Sequence, residues 1–521
     1  MTCRRCTFLL CSILIFAGAP SALTAQAHKV RAISAASAEA RTSAAFDAAR
    51  KAGPLALRAF FYRMPKGADL HNHLSGAIYA ESWIRLAIQD HLCINLQTLS
   101  FTSPGHSACQ SGEVPASEAI KDQRLYDHLV DAFSMRTFVP TTADSGHDHF
   151  FATFARFEAA SKSNTGELVN EVAVRAAAQN EQYLELMDTP DFSQAAALAQ
   201  KIGFNPDFAQ YRQQLLNAGF RKFVPAAQAH FDRAEHDREQ IEHCGQPSAE
   251  PACTVKVRFL YQVLRDMPPP AVFAQILLGF EAASTDPRIV GINLVQPEDS
   301  YYSMRDYRMH MEMIGALRRF YPNVHVTLHA GELAFGMVPP AGLSFHIRDA
   351  VEIAHAERIG HGVDIMYENH PYQLLREMAA LHIMVEICLT SNAVILNAKG
   401  SNHPFMIYRK FGVPVALATD DAGVSRIDLT HEYVRAAETY PLSYLDFKKM
   451  VRTSLEHAFL PGASLWQRTT PETLDRPVAV CAGQLGRETP AGACARFITG
   501  SQKAREEWEL ERRFHLFEAS F

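Results

Sequence analysis

The chain has 521 residues, of which 48% are hydrophobic and 20% charged, with a formal net charge of −6. That length builds one large α/β barrel with insertions or two ordinary domains, and it excludes a miniprotein dependent on cross-links. The slight acidity, with basic residues scattered along the chain, leaves no electrostatic footprint for a polyanion, so nucleic acid is not an expected partner.

In chain order, Arg4 and Arg5 precede an apolar run over 8–19, and Ala25-Gln26-Ala27 offers a small-x-small cleavage site. This is the pattern of an export leader, expected over residues 1–27 and removed on export. The run is shorter than the ~20 residues that span a bilayer. Cys11 follows Leu10, where lipid attachment wants a small residue. A periplasmic or secreted protein, off the membrane once the leader is gone, is therefore expected. In an oxidising compartment cysteines pair. Cys3, Cys6 and Cys11 leave with the leader, and three close pairs in loop-type sequence are expected as disulfides: Cys93–Cys109, Cys244–Cys253 and Cys481–Cys494. Cys388 lies in an apolar run and is expected as a buried thiol.

Residues 28–66 are expected as an N-terminal helical segment, Ala-rich and interrupted at Gly53-Pro54. Short apolar runs then recur between helical patterns, over 68–73, 183–187, 255–261, 289–295, 324–329, 358–361, 383–389 and 413–419. Strands buried on both faces are nearly continuous in apolar, β-branched residues, and eight of them alternating with helices predict a (β/α)8 TIM barrel over 67–465. The stretch between the first two runs is too long for a βα connection, so an insertion at about 90–165 is expected beside the barrel mouth. Residues 466–521 form a C-terminal extension with Pro471, Pro477, Pro490 and a charged terminal helix at about 501–517.

The chemistry of a TIM barrel sits at the carboxyl ends of its strands, and His71, His73, His329, His361 and Asp420 each end or just follow an apolar run. In Asp69-Leu70-His71-Asn72-His73-Leu74-Ser75, two histidines separated by one residue point to the same side of a strand, so both imidazoles reach one metal. In His329-Ala330-Gly331-Glu332 a carboxylate follows the imidazole across a glycine that lets backbone approach a ligand. Arg358-Ile359-Gly360-His361-Gly362 supplies a further histidine. In Ala418-Thr419-Asp420-Asp421 the two side chains diverge, so that one ligates metal while its neighbour faces substrate.

These four motifs resemble those of the adenosine deaminase family, specifically its secreted, growth-factor-related branch, within the amidohydrolase superfamily; the resemblance covers roughly residues 60–460. It implies that His71, His73, His329 and Asp420 bind one Zn2+ per chain, in a shell that keeps a position open for water and lowers its pKa towards ~7. It implies hydrolytic deamination of adenosine or 2′-deoxyadenosine to an inosine-type product and ammonia. Glu332 is then the acid for the ring nitrogen beside carbon 6, His361 orients or deprotonates the water, and Asp421 is expected to accept a hydrogen bond on the nitrogen-7 side. Gly331 and Asn392 are further expected substrate contacts, Asn392 also as a loop residue supporting the site. The helical segment 28–66 resembles the place where secreted members build a homodimer, and packing onto the chain's own barrel explains it equally.

Two departures bear on substrate. The family commonly has Asp where this chain has Ser75, at the sugar contact, and a purine-reading glycine where this chain has Gln296-Pro297, whose proline has no amide hydrogen. A free base, a modified nucleoside or another amide is therefore an alternative substrate, and a secreted signalling protein without catalysis an alternative class. His355-Ala356-Glu357 matches half of a cytidine-deaminase zinc motif, but no Pro-Cys-x-x-Cys follows. His147-Asp148-His149-Phe150-Phe151 reads either as a substrate gate, with His149 and Phe150 on the ligand, or as a capped loop with buried aromatics, and less readily as a second metal site.

Overall fold

The computed structural model describes residues 38–104, 108–161, 164–467 and 474–521; the expected leader over 1–27 lies outside them. Each of the eight apolar runs forms a strand: β1 Gly67–His73, β2 Glu181–Asp188, β3 Lys256–Leu264, β4 Ile289–Val295, β5 His325–Ala330, β6 Arg358–His361, β7 Met384–Ile387 and β8 Val415–Leu417. They pair in parallel and in chain order. An isolated bridge between Asn72 and Asp420 joins the two edges. The sheet is a nearly closed (β/α)8 barrel of TIM type with helices around it.

β7 and β8 end sooner than their apolar runs. Cys388 departs from the strand in ψ, at 75°, and the helix Leu389–Ile395 starts at once. After β8 the chain turns at Asp420, whose φ is 60°. The apolar residues past each strand end pack as helix or turn, so hydrophobicity continues where pairing stops.

Between β1 and β2 the insertion holds a three-stranded antiparallel sheet, with Cys93–Asn95 between Ser100–Thr102 and Glu113–Pro115, and the helices Gln123–Ala132 and Gly146–Ser161. Aromatic packing ties it down: Trp83 stacks on Phe157 at 5.0 Å between centroids, and Phe101 meets Phe133 edge-on at 4.9 Å. All three expected disulfides are formed, and Cys388 is a buried free thiol. Cys481–Cys494 lies in a small core of its own with Leu465, Trp466, Ile498 and Trp508.

The N-terminal segment is helical over 38–52 and again at Pro54–Arg63. Its Phe46, Phe60 and Phe61 are buried against Tyr444, Phe447 and Phe517 of the same chain. That is the packing onto its own barrel that the sequence left as one of two readings. Among the described residues, no helix is long and apolar enough to cross a membrane.

Candidate active site

The seam of the barrel is also the floor of the site. Asp420 donates its backbone N–H to the carbonyl of His71 at 2.8 Å, and His73 donates its N–H to the carbonyl of Asp420 at 3.2 Å. Strand alternation turns His71 and His73 to the same side. His329 faces them from the end of β5, with its Nε2 3.1 Å from both His71 Nε2 and His73 Nε2. Asp420 Oδ1 lies 3.5 Å from the first of these and 3.3 Å from the second. Four ligand atoms, one from each of four buried side chains, lie within 4.8 Å of one another.

The far side of each imidazole shows what belongs among those atoms. His71 Nδ1 donates to Glu386 Oε2 at 2.6 Å, His73 Nδ1 to Gln262 Oε1 at 2.7 Å, and His329 Nδ1 to Asn293 Oδ1 at 2.7 Å. Each ring therefore carries a proton on Nδ1, so that the neutral form of each turns a lone pair inward from Nε2. Three lone pairs and a carboxylate facing one another, away from water, repel unless a cation stands between them. Such outer acceptors are how metal-binding histidines are oriented, and three nitrogens with one oxygen suit Zn2+ among divalent ions.

The chemistry-bearing residues cluster beside this cup. His361 Nε2 lies 3.7 Å from Glu332 Oε1. Burial first, and then the charge of Asp420, hold the carboxyls of Glu332 and Asp421 well above the ordinary carboxylate range. Both shifts favour the protonated acid over the carboxylate. Burial pushes His361 down to about 3, so it is neutral. Asp421 Oδ1 and His361 Nε2 are buried with no hydrogen-bond partner among the described residues, which leaves both for a ligand.

Backbone strain gathers at the same level. His361, Asp420 and Gln296 have φ of 68°, 60° and 87°, a region that disfavours side chains other than glycine and that concentrates at functional sites. Gln296 is held there because its carbonyl accepts from Arg265 Nη2 at 2.9 Å and its Oε1 accepts from the N–H of Asp266 at 2.8 Å. The segment that carries Pro297 thus has its polar groups engaged by β3's exit loop.

Several expected contacts have other occupations. Gly331 gives its N–H to Glu298 Oε1 at 2.9 Å, and a Cβ there would sit 2.2 Å from Asp364 Oδ1. The glycine serves close packing, and its amide is not free for a ligand. His149 stacks on Phe138 at 4.3 Å, and both of its nitrogens have partners within the insertion. Phe150 is 1% exposed beside Phe151 and Phe154. Both residues make these contacts within the insertion. His147 Nε2 lies 3.1 Å from Asp299 in the loop after β4. Ser75 sits half-buried in the turn after β1, and Asn392 contacts His361 at 2.9 Å.

The supporting layer was missed. Glu298 accepts the N–H groups of Gly331 and Glu332 at 2.9 and 2.8 Å and is paired with His346. Burial opposes its charge, but His346 and Arg265 hold it at about 2. Glu386 binds His71, Thr327 at 3.0 Å and Arg358 at 2.6 Å. A signal existed, since Glu386, Asn293 and Gln262 are polar residues inside apolar strands, where a buried polar group needs a partner.

Fold and site together define the class: a (β/α)8 barrel with a metal-binding cup at the carboxyl ends of its strands. The family model described as Adenosine deaminase matches residues 121–465, a stretch that holds His329, Glu332, His361, Asp420 and Asp421. The chain belongs to the adenosine deaminase family, within the amidohydrolase superfamily. It is 36% identical over 138 residues to an adenosine deaminase of Clostridium perfringens, covering 26% of this chain and 37% of that protein. Against an adenosine deaminase of Clostridium botulinum it is 28% identical over 244 residues, 46% of this chain and 66% of that one. The solved structure of an Arabidopsis N6-mAMP deaminase has the same fold, with a TM-score of 0.50 at 20% identity over 77% of this chain and 95% of that one.

Proposed function

We propose that the protein is an exported, zinc-dependent aminohydrolase that converts adenosine or 2′-deoxyadenosine to the inosine-type product and ammonia. The observation that carries this is a buried Glu332, its carboxyl 3.7 Å from His361 Nε2, at the rim of a cup of three imidazole nitrogens and one carboxylate. His71, His73, His329 and Asp420 hold one zinc ion, which supplies the Lewis acidity that makes water reactive near neutral pH.

The chain's own residues do the rest. Water adds its oxygen to carbon 6 as Glu332 gives its proton to the neighbouring ring nitrogen. His361 Nε2 faces the attacking oxygen, and Asp421, kept protonated, donates to nitrogen 7. Of the water's two protons, one leaves with the amine as ammonia and the other returns to Glu332 as the carbonyl forms at carbon 6. The three disulfides and the expected leader support export.

A second reading, with the same cup acting on another purine, has its own support. Ser75 and Gln296-Pro297 stand where the family resemblance implies sugar and base contacts, and the Arabidopsis neighbour is by name a deaminase of N6-mAMP. The test is ammonia release and the ultraviolet change on purine deamination, with zinc-loaded protein and a panel of adenosine, 2′-deoxyadenosine, adenine, AMP and N6-methyl-AMP. Turnover of the two nucleosides bears the first reading out. Turnover of another member alone selects the second, and no turnover by protein with bound zinc sinks both.

A further inference from the structure

Building on the deaminase reading above, we propose that His403 and Asn392 are positioning residues that fix His361 as its Nε2–H tautomer. His361 then meets the attacking oxygen as a hydrogen-bond donor.

The chain of contacts starts at a group with only one role. The backbone N–H of Phe405 donates to His403 Nδ1 at 3.1 Å. His403 Nδ1 must then carry a lone pair, and burial keeps the ring neutral by pushing it down to about 4, so its proton sits on Nε2. That Nε2–H donates to Asn392 Oδ1 at 3.0 Å. The amide orientation of Asn392 follows, and its Nδ2 donates to His361 Nδ1 at 2.9 Å. His361 Nδ1 is therefore an acceptor, and the proton of this neutral ring lies on Nε2. His403, Asn392 and His361 are 3%, 0% and 0% exposed, so water does not interrupt the relay.

The opposite tautomer would set two donors, Asn392 Nδ2–H and His361 Nδ1–H, against each other in a buried place, a costly arrangement. His361 Nε2–H has no partner among the described residues and faces the region beside Glu332. A preset donor aimed at the oxygen on which charge develops stabilises the transition state without reorganising. The histidine is thus held out of the role of proton acceptor, and no proton passes through it.

The elements that hold the relay differ from those that hold the metal ligands. His361 ends β6, Asn392 sits on the helix after β7, and His403 lies just before the helix Phe405–Lys410. Substitutions in the relay therefore leave the four ligands in place.

The experiment uses zinc-loaded protein labelled with 15N-histidine, whose ring nitrogen shifts distinguish the tautomers; His361 is assigned by its loss in His361→Gln. The expected wild type carries the proton on Nε2. Asn392→Asp presents a carboxylate oxygen to Nδ1, so the ring should turn to Nδ1–H, and kcat should fall at least about tenfold while KM changes little. His403→Gln keeps a donor towards Asn392 and should retain the tautomer and most of kcat, whereas His403→Leu should lose both. If Asn392→Asp does not fold, the His403 pair carries the test.

A wild-type His361 with its proton on Nδ1 overturns the proposal. So does an unchanged tautomer in His403→Leu, or a kcat that falls equally in His403→Gln and His403→Leu. The spectra need no substrate. A protein with the expected tautomer that turns over no purine therefore sinks the deaminase reading and leaves the relay standing.

Discussion

The backbone N–H of Asp420 binds the carbonyl of His71 at 2.8 Å, so the bond that closes the barrel joins two of the four proposed zinc ligands. Most strands of a barrel gain their stability from long ladders with both neighbours. Here β8 spans only Val415–Leu417, and the seam to β1 rests on an isolated bridge at Asn72 and Asp420. A cation held by the proposed ligands would cross-link the two edges at this seam.

Metal removal should consequently cost stability as well as activity. An ion that binds only the folded state stabilises it by about 4 kcal/mol at a thousandfold excess over its Kd. Chelation followed by calorimetry should lower the melting temperature, and restoring one equivalent of zinc should recover it. An unchanged melting temperature in protein shown to be metal-free would detach closure from the metal.

Glu332→Gln separates the acid from the scaffold. The backbone N–H of Glu332, not its carboxyl, is the group anchored by Glu298 at 2.8 Å, so the substitution leaves the local fold intact. Loss of a general acid should reduce kcat by about 10²–10⁴-fold. Metal content by elemental analysis should match the wild type. Comparable turnover in the variant would take the acid role away from this residue.

The parts of the site visible in sequence are those whose side chains interrupt an apolar run. His71, His73, His329, His361 and Asp420 stand out because parallel strands buried on both faces tolerate polar groups mainly at their ends. Glu298 and His403 stand in loops without any periodicity, and their meaning lies in pairings no spacing encodes: Glu298 with His346 is 48 residues apart, and His403 with Asn392 is 11. The reading of His149 and Phe150 stays open in sequence for a related reason. A polar-aromatic cluster in a long insertion looks the same whether it faces a ligand or a helix, and only the fold of the insertion decides.

Gly76 is a position where one methyl group should be felt. A Cβ built there lies 1.6 Å from Asp421 Oδ1, so the carboxyl occupies the space a side chain would need. The carbonyl of Gly76 also accepts from the N–H groups of Gly423 and Val424 at 2.9 and 3.0 Å, which prevents the turn from moving aside. Gly76→Ala should displace Asp421 and lower kcat/KM by about 10²-fold, the cost of an ångström-scale misplacement. Zinc should stay bound, because Asp420 and not Asp421 belongs to the proposed ligand set. Unaltered kinetics would show that Asp421 does not work from the position seen here.

His310 sets a test of acid stability away from the metal. It lies on the helix Tyr301–Arg318, is 0% exposed, and neither ring nitrogen has a partner among the described residues. Burial pushes its pKa down to about 4, with Asp306 opposing, whereas an unfolded chain binds the same proton near about 6.5. Between these values the unfolded state holds the proton and the folded state does not. The stability contribution is therefore full above about pH 6.5, falls as pH drops through the window, and is lost below about 4, on the order of 3 kcal/mol in all. His310→Leu removes the titration and two unsatisfied nitrogens together. In urea denaturation of protein carrying the same metal, the variant should equal or exceed wild type at pH 7 and exceed it by more at pH 4.5. If both proteins lose the same stability between those values, His310 is not a group that acid attacks.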